Sequence, residues 1–290
     1  MTLSPNMLGA LLMMASMASF TLNDTLIKLT GGAVPLAQLL FLRGVLSSVL
    51  ILALARWLGA LHFRIGRRDW ALIALRSASE VGAAYFFVTA LLNLPLANVT
   101  AILQVLPLTV AVGAALFFNE PLGWRRMAAI LLGFAGMLLI VRPGPDGFSL
   151  WSFYALCAVG CVTVRDLATR KLTPGVPSMT VTLVASLTVM VCAGLASTTT
   201  EWVALTPREA GLIAGASVMI IGGYFFSVRV MRVGEITFIA PFRYTGLIWA
   251  LVLGWFVFGD WPEPLTMLGA GVVVATGLFT LYRERKLSAR

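Results

Sequence analysis

Charged side chains are scarce in this chain, 11% of 290 residues, where a water-soluble domain carries about a quarter. Histidine occurs once, as His62, and cysteine three times, as Cys157, Cys161 and Cys192. So few thiols and imidazoles exclude a disulfide framework and a Cys/His metal cluster. A single histidine in a basic stretch also excludes a histidine proton relay. No Gly-x-x-x-x-Gly-Lys-Ser/Thr loop is present to cradle the phosphates of ATP. Neither a His-Glu-x-x-His pair nor a Gly-x-Ser-x-Gly elbow occurs, so no hydrolase is expected. The chain reads as a protein that is no enzyme and holds no cofactor and no metal.

Apolar residues, by contrast, make up 59% of the chain, and mean hydropathy is +0.94. A soluble fold of this size cannot hide so much apolar surface, and a membrane supplies the missing cover. A helix crossing ~30 Å of hydrocarbon needs about 20 apolar residues. Dividing the chain at its charges, prolines and glycine pairs gives ten such stretches, at 4–28, 36–59, 69–92, 95–118, 124–141, 149–170, 178–197, 208–231, 235–258 and 263–282. The short alternating segments of a membrane β-barrel are absent. The expected fold class is therefore an all-α membrane protein with ten transmembrane helices and short connections. No Lys or Arg precedes the first apolar stretch, and Asp24 is the first charge, so that stretch reads as a span and not as a cleavable signal peptide.

The net charge of +9 looks like a nucleic-acid signature until the charges are placed. With both termini inside, the even-numbered connections and the tail hold Arg56, Arg64, Arg67, Arg68, Arg125, Arg126, Arg165, Arg170, Lys171, Arg229, Arg232, Arg283, Arg285, Lys286 and Arg290. The outer connections hold only Lys28, Arg142 and Arg208. That asymmetry orients the protein with N- and C-termini in the cytoplasm, and it leaves no basic stripe for nucleic acid.

The two halves share a pattern. Lys28-Leu29-Thr30 followed by Pro35 recurs as Lys171-Leu172-Thr173 followed by Pro177. Val99-Thr100 before Pro107 is answered by Ile236-Thr237 before Pro241; Glu120, Met127, Gly136 and Arg142 by Asp260, Met267, Gly277 and Arg283. The expected organisation is a five-helix repeat over 1–142 and a second over 143–290, the latter with a short basic tail, in one membrane-embedded unit. An odd number of spans turns the second copy upside down. Inverted repeats are the architecture of secondary transporters, whose site lies between the halves near mid-membrane.

On these residues the chain resembles the EamA branch of the drug/metabolite transporter superfamily. The segment Phe41-Leu42-Arg43-Gly44 after the polar Asn23-Asp24-Thr25, the acids Glu120 and Asp260, and the glycine-rich fifth and tenth spans carry the likeness, over residues 5–283. The resemblance implies a central cavity lined by spans one, three, four, six, eight and nine, with spans five and ten peripheral. It also implies movement of small metabolites, most like the members that export amino acids, aromatic ones included. A bacterial inner membrane and a monomeric protein among lipids are further expectations.

Ionisable residues inside a bilayer need a partner or water, and mark function by default. Arg76 and Glu80 lie four apart on the third span, on one helical face with Ala83, Ala84 and Phe87. They read as a cavity wall or as a structural ion pair. Glu80 is the carboxylate placed to take a coupling proton. Arg243 and Tyr244 follow the Pro241 break; the planar fork of Arg243 suits a substrate carboxylate, a gate closed on Glu80, or helix packing. Arg43 is within reach of Asp24 and reads as a helix-to-helix salt bridge. Gln104 offers a hydrogen bond to substrate or to a neighbouring helix. Pro107 and Pro241 are the expected hinges. Gly133 and Gly136, with Gly269 and Gly271, are the expected close-approach seams. Trp57, Trp70, Trp124, Trp151, Trp202 and Trp261 read as interfacial anchors. Tyr224, Phe225 and Trp249 lie deeper and could form an aromatic wall with Met13, Met14 and Met17, or pack ordinarily; Phe20, Phe153 and Tyr154 are intermediate in depth.

The expected function is outward movement of a small amphiphilic metabolite, an amino acid above all, by alternating access. Two alternatives stand beside it: export of cationic drugs or nucleotide-linked metabolites on the same fold, and a non-transporting membrane scaffold or receptor.

Overall fold

The computed structural model describes residues 4–57, 59, 61–118, 124–141, 149–230, 233 and 239–288, and the regular structure among them is entirely helical. The helices are α1 (Pro5–Lys28), α2 (Leu36–Trp57), α3 (Arg67–Asn93), α4 (Leu96–Leu103), α5 (Leu106–Phe118), α6 (Trp124–Val141), α7 (Leu150–Arg170), α8 (Ser178–Ser197) and α9 (Pro207–Val230). A 3-10 turn (Ala240–Tyr244) leads into α10 (Thr245–Leu253), a π turn (Gly254–Phe258) and α11 (Pro264–Ser288). Glu120, Arg142, Arg232, Ile236, Thr237 and Arg290 lie outside the described residues.

Eight helical stretches among the described residues are long and apolar enough to cross a bilayer. They are α1, α2, α3, α4 with α5, α7, α8, α9 and Pro241–Phe258. The fifth and tenth expected spans are also helices, α6 and α11, but their apolar segments, Met127–Val141 and Pro264–Phe279, are shorter. The protein is therefore an integral membrane protein built of helices.

Local chemistry sets the breaks. Ser4 and Ser149 cap α1 and α7, their hydroxyls accepting from the amides of Met7 (3.3 Å) and Ser152 (3.1 Å). Gly31 and Gly32, at φ of 61° and 75°, turn the chain out of α1 through a region closed to other side chains. The fourth expected span is not one rod. Proline lacks an amide hydrogen and its ring strikes the carbonyl four residues back, here Leu103, where α4 ends. Around Pro241 the described part of the ninth span opens with a 3-10 turn.

Four helix pairs make the most extensive contacts: α3 with α7, α1 with α9, α6 with α11, and α2 with α8. Numbered as spans, these are three with six, one with eight, five with ten, and two with seven. Advancing every span by five positions maps this set onto itself. Ser16 on α1 donates to Gly223 O on α9 (2.8 Å), Ser48 and Ser186 join α2 to α8 (2.9 Å), and Thr109 and Thr163 join α5 to α7 (2.7 Å).

The ends of α1 and α7 fall at opposite ends of α3. Lys28, closing α1, donates to Leu91 O (3.0 Å) and Leu94 O (2.7 Å) where α3 terminates, a favourable place for a cation at a helix C-terminus. The amide of Thr173, just past α7, instead donates to Asp69 near the start of α3 (3.1 Å). Each terminal lysine also covers a ring from the other half: Lys28 lies 5.5 Å from the Phe258 centroid, Lys171 5.0 Å from that of Phe118.

Gln38 is a buried polar side chain bonded at both ends of its amide. It is 2% exposed, and its amide both donates to Val203 O (2.8 Å) and accepts from Val203 N (3.0 Å), pinning the 198–206 connection to α2. Gln38→Leu removes the partner of both the N–H and the C=O of Val203. The expected loss is about 2 kcal/mol, read as a lowered unfolding midpoint in detergent; an unchanged midpoint would show that the contact adds nothing.

Candidate functional site

Two cavities meet near the middle of the bundle. The larger, about 280 Å³, is bounded by α1, α3, the α4–α5 break, α7 and the 3-10 turn leading into α10. Its polar lining is Thr21, Asp24, Thr100, Gln104, Asp166 and Arg243; its apolar wall includes Met17, Phe20, Phe87 and Pro107. The smaller, about 50 Å³, lies between α2, α3, α8 and α9, and is lined by Arg43, Ser47, Arg76, Glu80, Ser186 and Tyr224 among others. Phe20 and Tyr224, one from each lining, meet edge to face with ring centroids 5.5 Å apart.

The α4–α5 break brings Gln104 and Pro107 to the larger cavity, and the break at Pro241 does the same for Arg243 and Tyr244. A non-helical backbone at such depth is tolerated where it borders a cavity. Gly246, one residue into α10, lets the chain pass close to Met17 and Gln104, whose nearest atoms would stand 3.7 and 3.8 Å from an added Cβ. Tyr244 is buried, with its hydroxyl seated over Gly277 of α11. Its ring also lines a separate apolar cavity between α4, α10 and α11, and Pro241 borders that lateral space.

The expected pairing of Arg76 with Glu80 does not form. Both face the smaller cavity, but α7 packs so closely on α3 that it offers each a better partner. Glu80 accepts from Arg165 Nη1 at both oxygens (3.3 and 3.4 Å), while Arg165 Nε donates to Asp166 (2.9 Å). Arg76 donates to Thr169 Oγ1 (3.0 Å) and Val181 O (3.4 Å). Arg165 was expected in an inner connection. It sits inside α7, which runs on to Arg170, and it belongs to the charged centre. Arg243 lines the other cavity, and in this structure it is not paired with Glu80.

The Arg43–Asp24 salt bridge is also corrected. The two remain electrostatic neighbours, yet among the described residues no ion pair within 4.0 Å joins them. Asp24 accepts instead from Asn23 Nδ2 (2.8 Å). Trp249 is exposed on the outer face of α10 beside Ile248 and lines neither central cavity. Of the expected seams, Gly136 and Gly269 do meet; Gly133 faces Leu108 and Thr276, and Gly271 has nothing within 4 Å. No group of three metal-ligating side chains occurs among the described residues.

Asp166 and Arg165 are the site residues that the sequence reading missed. A signal for them was present: Asp24 stands four residues before Lys28, and Asp166 five before Lys171. The repeat that aligned the lysines also nearly aligned the acids.

Bilayer-length helices thus surround a cavity of mixed charge. Residues 7–142 match the model of the EamA-like transporter family. Similar proteins span nearly the whole chain. An S-adenosylmethionine uptake transporter of Rickettsia conorii is 24% identical over 277 residues, covering 95% of this chain and 92% of its own. The pseudopaline exporter CntI of Pseudomonas aeruginosa is 26% identical over 292 residues, covering 96% and 97%. A riboflavin transporter of Vibrio cholerae is 28% identical over 191 residues, covering 66% and 64%. A solved crystal structure covering 96% of this chain and 98% of its own has the same fold, with a TM-score of 0.64 at 17% identity.

Proposed function

We propose that the protein is a secondary carrier, not an enzyme, that moves small amphiphilic metabolites bearing a carboxylate, amino acids including aromatic ones, outward across a bacterial inner membrane. The single observation that carries this reading is Arg243. Its side chain lines the 280 Å³ cavity, and among the described residues it donates no hydrogen bond and forms no ion pair. A planar guanidinium left open on a cavity is a fork for a carboxylate. In the same lining, Met17, Phe20 and Phe87 supply apolar surface for a side chain, and Gln104 a hydrogen bond. Small-molecule pockets run from about 300 Å³ upward, so this cavity suits a ligand of amino-acid size. The relatives lend support through S-adenosylmethionine, itself an α-amino acid derivative, although they include both an uptake protein and an exporter.

Alternating access follows from the same reading, with two five-helix units of opposite orientation over 1–142 and 143–290, ten spans and both termini cytoplasmic. The packing that maps onto itself when spans advance by five supports the duplication. The opposite placement of the α1 and α7 ends along α3 supports the inversion. The breaks at Pro107 and Pro241 flank the cavity and serve as hinges. The carrier works as a monomer, with lipid and its substrate as partners.

Counterflow in proteoliposomes with labelled amino acids and organic cations tests the proposal. Uptake of amino acids above empty liposomes is expected, with at least a tenfold loss in Arg243→Ala at unchanged folded yield. Uptake of organic cations alone would favour a drug exporter; uptake of nothing in the panel would overturn the reading.

A further inference from the structure

The charges around the two cavities are not equally committed. Glu80 is held at both oxygens by Arg165, and Asp166 accepts from Arg165 Nε. Arg76 is occupied by Thr169 and Val181. Asp24 differs. Among the described residues its carboxylate has one hydrogen bond, from the amide of its own neighbour Asn23 (2.8 Å), and no cation within ion-pairing distance. It lines the same cavity as Arg243, the cation left equally open. Arg43 is near enough to act on Asp24 through space, but it lines the smaller cavity.

A carboxylate facing a membrane cavity is costly unless something neutralises it. In a low-dielectric cavity a ligand cation at contact is attracted far more strongly than in water. One uncommitted anion and one uncommitted cation lining one cavity are both satisfied by a ligand that carries both charges. We propose that Asp24 is the cation-binding residue of this cavity, so that its ligand is a zwitterion with its ammonium or other onium group at Asp24 and its carboxylate at Arg243. This assignment rests on the carrier reading above and narrows it. A simple monoanion or a simple monocation would leave one wall charge unmatched.

Asp24 was assigned a structural role from sequence, as the partner of Arg43, and the geometry separates it from that role. The choice among three nearby carboxylates is made by their partners: two share Arg165, and Asp24 does not. Thr21, one helical turn before Asp24, and Gln104 add neutral hydrogen-bonding groups to the same lining.

The experiment compares L-phenylalanine with N-acetyl-L-phenylalanine and L-phenylalanine methyl ester as inhibitors of counterflow by the native protein and by variants. The native protein is expected to bind the free amino acid at least tenfold better than either blocked form. In Asp24→Asn the preference for the free amine over the N-acetyl form falls to near unity, while the preference for the free acid over the ester persists. In Arg243→Gln the pattern is reversed. Asp24→Glu keeps both preferences and guards against a folding artefact in Asp24→Asn. Equal loss of both preferences in Asp24→Asn, or persistence of the amine preference, overturns the assignment of Asp24 and leaves the carrier standing. Failure of the native protein to move any amino acid overturns the carrier reading first.

Discussion

Arg165→Met is expected to be among the most destabilising single substitutions in this protein. Arg165 answers two carboxylates at once, Glu80 on α3 at 3.3 Å and Asp166 beside it at 2.9 Å. Removing one member of a buried pair strands the other charge, at about 3–5 kcal/mol. Here the Arg165 and Glu80 side chains retain 25% and 20% of their exposure, so water in the cavity offsets part of that cost. A loss of about 2–3 kcal/mol is expected. It would appear as a drop in the midpoint of thermal unfolding in detergent micelles. The reciprocal change, Glu80→Gln, costs far less, because Arg165 keeps Asp166. Adding Glu80→Gln to Arg165→Met recovers part of the loss, since one of the two stranded carboxylates is then gone. Without that recovery, the ion pair is not what holds α3 to α7. Glu80→Gln also tests proton coupling: normal transport with and without an imposed proton gradient would end any such role for Glu80.

This pair shows where the sequence stops being legible. Spans are local properties, and α1, α2, α3, α7, α8 and α9 lie within two residues of their expected limits because hydropathy and proline act along the chain. The two internal breaks were legible for the same reason: Pro107 acts on Leu103 and Pro241 on its own turn. Partner choice is not local. Glu80 had an arginine four residues away on its own helix and took one 85 residues distant. Nothing in the spacing of α3 says how closely α7 will lie. Arg165-Asp166 reads as the polar edge of a span, since adjacent charges usually mark one. Arg165 answers both its neighbour Asp166 and Glu80 of α3, which a linear count cannot express. Trp249 fails in the other direction. Its depth was legible, but the 3-10 turn at 240–244 resets the helical phase and points it outward. Arg243, Tyr244 and Gln104 were found because each lies within three residues of a proline break, and breaks at that depth occur beside cavities.

Gly269→Val should break the seam between α6 and α11, the pair that packs beside the cavity helices. A Cβ at Gly269 would stand 2.5 Å from Gly136 O and 2.8 Å from Ile140 Cγ1. The first of these atoms is backbone, so no rotamer change relieves the overlap. Helix association in lipid depends on such close approach, because hydrocarbon tails offer no hydrophobic gain on pairing. Alanine at this position already forces the helices apart, and valine adds two further methyl groups. Overpacking typically costs about 1–3 kcal/mol; for valine against a fixed carbonyl the upper end is expected. Gly271, two residues on, supplies the opposite sign from the same helix. Nothing lies within 4 Å of an added Cβ there, and alanine exceeds glycine in helix propensity by up to about 1 kcal/mol. Gly271→Ala is therefore expected to be neutral or to raise the unfolding midpoint, while Gly269→Val lowers it sharply. The consequence for function runs through Tyr244, whose hydroxyl rests over Gly277 on α11 while its ring lines the central cavity. A displaced α11 unseats that ring. Surviving folded Gly269→Val protein should therefore bind L-phenylalanine more weakly, and native affinity with a lowered midpoint would confine the seam to stability alone.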